Sequence, residues 1–321
     1  MNRTGNIWAA FFILVLLALA SDGCYRPDPK PAPDPAVRLH ILTSFFPLWC
    51  FTKNIVGDDP AVQIEVLIPP GRSPHDYQLT PGDLRRINQA ELFIVNGYFL
   101  EEFLEDAIKK ARPDLKVVRA GEAVPPIAVP DDGHDDHEAE HHGHHHHGGI
   151  NPHPFVSPAD AALMVRAIAE ALADADPAHA DHYRQNADDY VKKLLALGEE
   201  IKAVVSAAPN KKIMTFHNAF DYLARATGLE IVGAIETVPG QEPSAGELSR
   251  LAQQARDLKV AAVYSEPQYS PRLAETLARE AGVPVAELNP GHTGEFRADA
   301  YTQIWRHNLE TLRRTLMPAG Q

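Results

Sequence analysis

From Leu39 onward the chain alternates between two periods of apolar and polar residues. Short runs rich in β-branched and apolar residues, "RLHILTS", "VQIEVLI", "ELFIVNG" and "LKVVRA", read as strands, and the stretches between them carry apolar residues at helical spacing. After Pro209 the pattern restarts with "KKIMTF", "LEIVGAI", "VAAVYSE" and "VPVAEL", separated by helical runs such as "SAGELSRLAQQARDLK" and "RLAETLAREAG". Strands that alternate with helices predict the α/β class, here two lobes, each a mostly parallel sheet flanked by helices. Between the two halves, residues 178–207 keep helical spacing with no proline and a single glycine, Gly198. As one helix these residues extend about 45 Å, enough to join both lobes as a rigid rod. The expected organisation is an N-terminal lobe at 37–177, a linker helix at 178–207 and a C-terminal lobe at 208–321.

The pattern breaks at two places. Near the start, Arg3 precedes the unbroken apolar run Ile7 to Ala20, which ends in small residues. Its helical length of about 21 Å falls short of a bilayer core of about 30 Å, so 1–23 reads as a signal peptide rather than a permanent span. "ASDGC" places Cys24 where a bacterial lipobox has its lipidated cysteine, although Ser21 and Asp22 depart from that pattern and Ala18 and Ala20 also offer an ordinary cleavage site. The proline-rich stretch 24–36, "CYRPDPKPAPDPA", reads as a stiff tether. An extracytoplasmic, periplasmic location follows, with a lipid anchor on the membrane through Cys24 or free in the periplasm as the alternative. The only other cysteine, Cys50, lies in "FFPLWCF" and reads as a buried thiol without a chemical role.

The second break is "HDDHEAEHHGHHHHGG". Residues 131–149 hold eight histidines (His134, His137, His141, His142, His144, His145, His146 and His147) and six acidic side chains, with neither the spacing nor the apolar content of a folded element. This reads as a flexible loop offering many weak, exchanging metal sites, against the plainer reading of a solvated insertion. A purification tag is a poor fit, because tags are normally terminal and lack interleaved Asp and Glu. With a formal charge of −13 and no dense Lys/Arg cluster, a nucleic-acid partner is not expected. A monomer is.

Three further histidines sit in loops or at strand ends, where open α/β sheets bind ligands: His75 in "IPPGRSPHDYQLTP", His153 in "NPHPFVSP" and His217 after "KKIMTF". Any one alone reads as a structural histidine; the three together point to a metal site.

The motifs "SFFPL…NIVG", "LIPPGRSPHDYQLTPGDLRRINQAELFIVNG", "NPHPFVSP", "TFHNAFDYLARATGL", "PGQEPSAGEL" and "SEPQYSP" resemble, in order, those of the solute-binding proteins of zinc and manganese ABC importers. The resemblance implies one metal in the cleft between the lobes, with His75, His153 and His217 as ligands, and as partners a membrane permease with its cytoplasmic ATPase. Two positions where the family often carries carboxylates are neutral here, Ser73 and Asn289. Asn289 is the first expectation for the fourth ligand, with Glu266, His292 or water as alternatives; Glu266 also suits a role behind a ligand, fixing an imidazole tautomer. A nitrogen-rich site favours Zn²⁺ over Mn²⁺. The expected function is capture of Zn²⁺ and its delivery to the permease. Alternatives are a manganese-binding homologue or a metal-sequestering, adhesive lipoprotein without a transporter. A zinc hydrolase ranks last, since no HExxH, nucleophile motif or phosphate loop is present, and an enzyme is not expected.

Overall fold

The computed structural model describes residues 37–75, 77–129, 149–236 and 241–317. The signal peptide, the tether with Cys24, and residues 131–148 with their eight histidines lie outside the described residues.

Among the described residues, eight strands form two four-stranded, all-parallel sheets. In the first, β1 (Leu39–Thr43), β2 (Val62–Val66), β3 (Leu92–Val95) and β4 (Lys116–Arg119) stand in the order β2-β1-β3-β4. In the second, β5 (Lys212–His217), β6 (Glu230–Glu236), β7 (Ala262–Ser265) and β8 (Val285–Glu287) stand in the order β6-β5-β7-β8. The interior strand β3 is apolar throughout: all four of its residues, "LFIV", are buried, as expected of a parallel strand covered on both faces.

Helices α1 (Phe46–Val56), α2 (Pro81–Gln89) and α3 (Glu102–Ala111) belong to the first sheet; α6 (Asp221–Thr227), α7 (Ala245–Leu258) and α8 (Arg272–Ala281) belong to the second. Local chemistry sets where several of them start. Thr80 and Asp83 form a reciprocal capping box at α2, Ser244 and Glu247 do so at α7, and Ser157 caps α4 (Pro158–Ala175). Each device satisfies backbone N–H groups that the first helical turn leaves without partners. Two of them fix the entry to a helix a few residues beyond His75 and His153.

The long helix is present. A 3₁₀ turn at Pro177–His179 leads into α5 (Ala180–Ala207), so the α-helix proper starts slightly later than residue 178. Its buried stripe, Tyr183, Ala187, Tyr190, Val191, Leu194, Leu197, Ile201, Val204 and Val205, follows the helical period. That stripe lies in one apolar core with residues of both halves, from Leu39 and Phe51 to Ile213, Tyr264 and Trp305 of α9 (Ala300–Leu316). A core shared by both sheets opposes wide separation of the lobes, because opening would expose close-packed apolar surface. Cys50 is buried within it as a free thiol, its pKa pushed up to about 12 by burial.

Candidate metal centre

The site forms where loops leave the carboxyl ends of strands in both sheets. His75 lies in the loop between β2 and α2. Its backbone N–H donates to Ser73 Oγ at 3.2 Å, so the serine shapes the turn that presents the ring. Further along, Tyr77 donates to Asp83 Oδ2 at 2.9 Å and ties the loop to the start of α2. His153 comes two residues after Asn151, where the paired backbones of Ala128 and Ile150 rejoin the fold. His217 is the last residue of β5. His292 follows β8 in the turn Asn289-Pro290-Gly291-His292, where Gly291 takes φ +83°, a left-handed conformation that a side chain would strain.

These four histidines converge. One ring nitrogen from each lies within 4.8 Å of the others, and the six ring-to-ring separations fall between 5.2 and 6.4 Å. His75 Nε2 is 3.0 Å from His153 Nε2, close to the roughly 3.3 Å edge of a tetrahedron whose centre is about 2.0 Å from each nitrogen. Nε2 of His217 and Nε2 of His292 are buried without any hydrogen-bond partner. Buried polar atoms are almost always satisfied, so two buried ring nitrogens without a partner among the described residues, beside the His75–His153 pair, mark a place for a cation.

The atoms behind the rings fix the tautomers. Glu266 Oε1, directly after β7, accepts from the His217 backbone N–H at 3.2 Å and contacts His217 Nδ1 at 2.7 Å. A carboxylate only accepts, so Nδ1 carries the proton and Nε2 keeps its lone pair. Asn151 Oδ1 accepts from the His153 backbone N–H at 3.0 Å and from His153 Nδ1 at 2.9 Å, with the same result. Gln268 Nε2 donates to Glu266 Oε2 at 2.7 Å and faces His292 Nδ1 at 3.3 Å. Burial pushes the His75 imidazole down to about 4, with a further push from the nearby His217, and holds His153 and His292 well below the usual histidine range. Near neutral pH these rings are uncharged, so a cation approaching them meets no imidazolium charge.

A family model described as zinc-uptake complex component A, periplasmic, matches residues 41–315. The chain belongs to this family. The high-affinity zinc uptake system protein ZnuA of Bacillus subtilis (strain 168) is 32% identical over 317 residues, 97% of this chain and 98% of that protein. The zinc-binding protein AdcA of Streptococcus pyogenes serotype M3 is 33% identical over 297 residues, 88% of this chain and 57% of its own length. The chain therefore spans little more than half of that relative. Among solved structures, the SBP FpvC from Pseudomonas aeruginosa in complex with Mn²⁺ matches with a TM-score of 0.75 and 32% identity, over 88% of this chain and 100% of that one.

Within this family fold the structure brings together His75, His153, His217 and His292, and it places the Asn289 side chain elsewhere. Asn289 turns its Oδ1 to Gly291 N–H at 2.8 Å, while its backbone N–H and C=O pair with Asn308 of α9 at 3.0 and 2.7 Å. Its amide oxygen is committed to shaping the turn, and the residue that the turn carries inward is His292. Glu266 sits behind His217, where its carboxylate is held by three N–H groups, two from His217 and one from Gln268. Asn151 and Gln268 were missed by sequence reasoning, although both lie in quoted motifs; a polar residue two positions from a histidine or a glutamate in a loop is the signal that points to them.

Proposed function

We propose that this protein captures Zn²⁺ outside the cytoplasm with His75, His153, His217 and His292 and hands it to the permease of an ABC importer driven by a cytoplasmic ATPase. The observation that carries the reading is the pair of buried, unpartnered Nε2 atoms of His217 and His292 facing the His75–His153 pair. Four imidazole nitrogens within 4.8 Å of one another suit Zn²⁺, which favours four-coordinate nitrogen and sulfur sites, whereas Mn²⁺ prefers more oxygen donors. The family description and the names of the Bacillus subtilis and Streptococcus pyogenes relatives support zinc as cargo. The Mn²⁺ complex of FpvC keeps manganese as the second reading.

Four protein ligands also leave no open coordination position for an activated water, which argues for binding without turnover and against a zinc hydrolase. Cys24 as a lipid anchor and residues 24–36 as a tether would hold the protein at the membrane, beside its permease. The histidine tract at 131–149 acts in this reading as an accessory that gathers metal by weak, exchanging contacts. Elemental analysis of protein purified without metal resin, followed by calorimetric titration of His75→Ala, His153→Ala and His217→Ala, tests the reading. Each substitution is expected to weaken a single tight zinc site by about tenfold or more, roughly 1.4 kcal/mol. Undiminished affinity in any one of them removes that residue from the site.

A further inference from the structure

The amide of Asn151 is oriented by partners whose roles allow no choice. Its Oδ1 faces the backbone N–H of His153, which only donates, and its Nδ2 lies 2.7 Å from the carbonyl oxygen of Asn218 and 2.7 Å from Asp221 Oδ2, which accept. The orientation is thus settled without reference to the His153 ring, and Nδ1 of that ring, 2.9 Å from Oδ1, must be the donor. Asn218 follows His217 directly, and Asp221 opens α6, so both acceptors of Nδ2 belong to the C-terminal half. The backbone of Asn151 crosses the same seam: its carbonyl accepts from the Tyr222 hydroxyl of α6 at 2.9 Å, and the residue is 1% exposed.

We infer that Asn151 is a positioning residue that couples contact between the two lobes to the donor state of His153. The inference rests on the zinc-binding reading. With the lobes together, Asn218 and Asp221 hold the amide in one orientation, and that orientation holds the proton of His153 on Nδ1 and its lone pair on Nε2. When the seam separates, Nδ2 loses both acceptors, the amide is free to turn, and His153 loses the fixed partner that sets its tautomer and ring angle. Opening of the lobes and loss of affinity are then one event, which gives a docked permease a way to lower affinity by pulling on α6 without touching the metal.

The test measures zinc dissociation by chelator chase in wild type, Asn151→Asp, Asp221→Ala and the exchange variant Asn151→Asp/Asp221→Asn. In Asn151→Asp the His153 ring keeps an acceptor, and a carboxylate there makes the imidazole a stronger ligand, so in the absence of coupling dissociation slows. Coupling predicts the reverse, a rate about tenfold or more above wild type, because two N–H donors are replaced by a carboxyl group that faces the Asn218 carbonyl and Asp221 with at most one shared proton. The exchange variant restores a donor across the seam and is expected to recover about threefold or more of that loss. Asp221→Ala cuts the far end of the contact while leaving Asn151 and His153 intact, and is expected to speed dissociation by about threefold; it decides the matter if Asn151→Asp does not fold. A wild-type rate in Asp221→Ala, or a rate at or below wild type in Asn151→Asp, overturns the inference while tight wild-type binding, lost in His217→Ala, keeps the zinc reading. A wild type with no tight zinc site ends that reading instead.

Discussion

Replacing His292 by alanine separates the proposed four-histidine ligand set from the one the sequence first suggests. Closed zinc sites bind with apparent free energies of about 10–16 kcal/mol, or about 2.5–4 kcal/mol for each of four ligands. A water entering the vacated corner returns part of this, which leaves a loss of about 1.5–3 kcal/mol, or ten- to hundredfold in affinity. Asn289→Ala removes a different interaction, the 2.8 Å hydrogen bond from Gly291 N–H that shapes the turn. One such bond is worth about 1 kcal/mol, so affinity falls by about fivefold. Competition titration against a calibrated fluorescent zinc chelator, on protein lacking residues 131–149, measures both. The expected order is His292→Ala weaker than Asn289→Ala, with cobalt-loaded Asn289→Ala keeping the absorption of a tetrahedral nitrogen site. An Asn289→Ala affinity equal to or below that of His292→Ala refutes the assignment of the fourth corner.

Glu266→Gln keeps an oxygen near His217 Nδ1 but removes the charge that polarises the ring, and is expected to lower zinc affinity by about tenfold or more in the same titration; an unchanged affinity leaves Glu266 a purely structural role. For the metal-free protein, His75 titrates at about 4 when folded against an ordinary value of 6.5. The unfolded chain therefore binds more protons between these values, so this stabilisation is full above about pH 6.5 and is lost as pH falls toward about 4, on the order of 3 kcal/mol. Urea melts in chelator are expected to show a shallower dependence for His75→Gln than for wild type over that window; parallel curves refute the burial argument. Deleting residues 131–149 is expected to abolish several weak zinc-binding events and leave the tight one nearly intact; calorimetry showing loss of the tight event would place the tract in the main site.

Much of this architecture was legible because its signals are local. Each of the eight strands among the described residues lies in one of the apolar runs, β5 and β6 extending one residue past theirs, and the 28-residue α5 follows from an uninterrupted helical period. His75, His153 and His217 stood out for the same reason, since each is tied to a recognisable strand end or loop. The fourth corner was not readable in that way. Asn289 and His292 lie three residues apart in one turn, and which of them points inward depends on the left-handed backbone of Gly291 and on the grip of Asn308 from α9. The place of Asn151 is less visible still, because its partner Asp221 is 70 positions away and no periodicity links a loop in one half to a helix start in the other.

The placement of charge explains how a buried set of neutral ligands can hold a dication. Four imidazoles bring no countercharge, and bare carboxylates among them would favour hard, oxygen-seeking ions. Two acidic side chains stand behind the rings instead: Glu266 one hydrogen bond away on His217 Nδ1, and Asp221 two away, reached from His153 through the Asn151 amide. From there each stabilises a cation through the ring it orients, while the atoms facing the metal remain nitrogen. This arrangement separates affinity, supplied by field and orientation, from selectivity, supplied by donor type. It also ties the inference about Asn151 to α6: displacing that helix would withdraw Asp221 and its hold on the Asn151 amide.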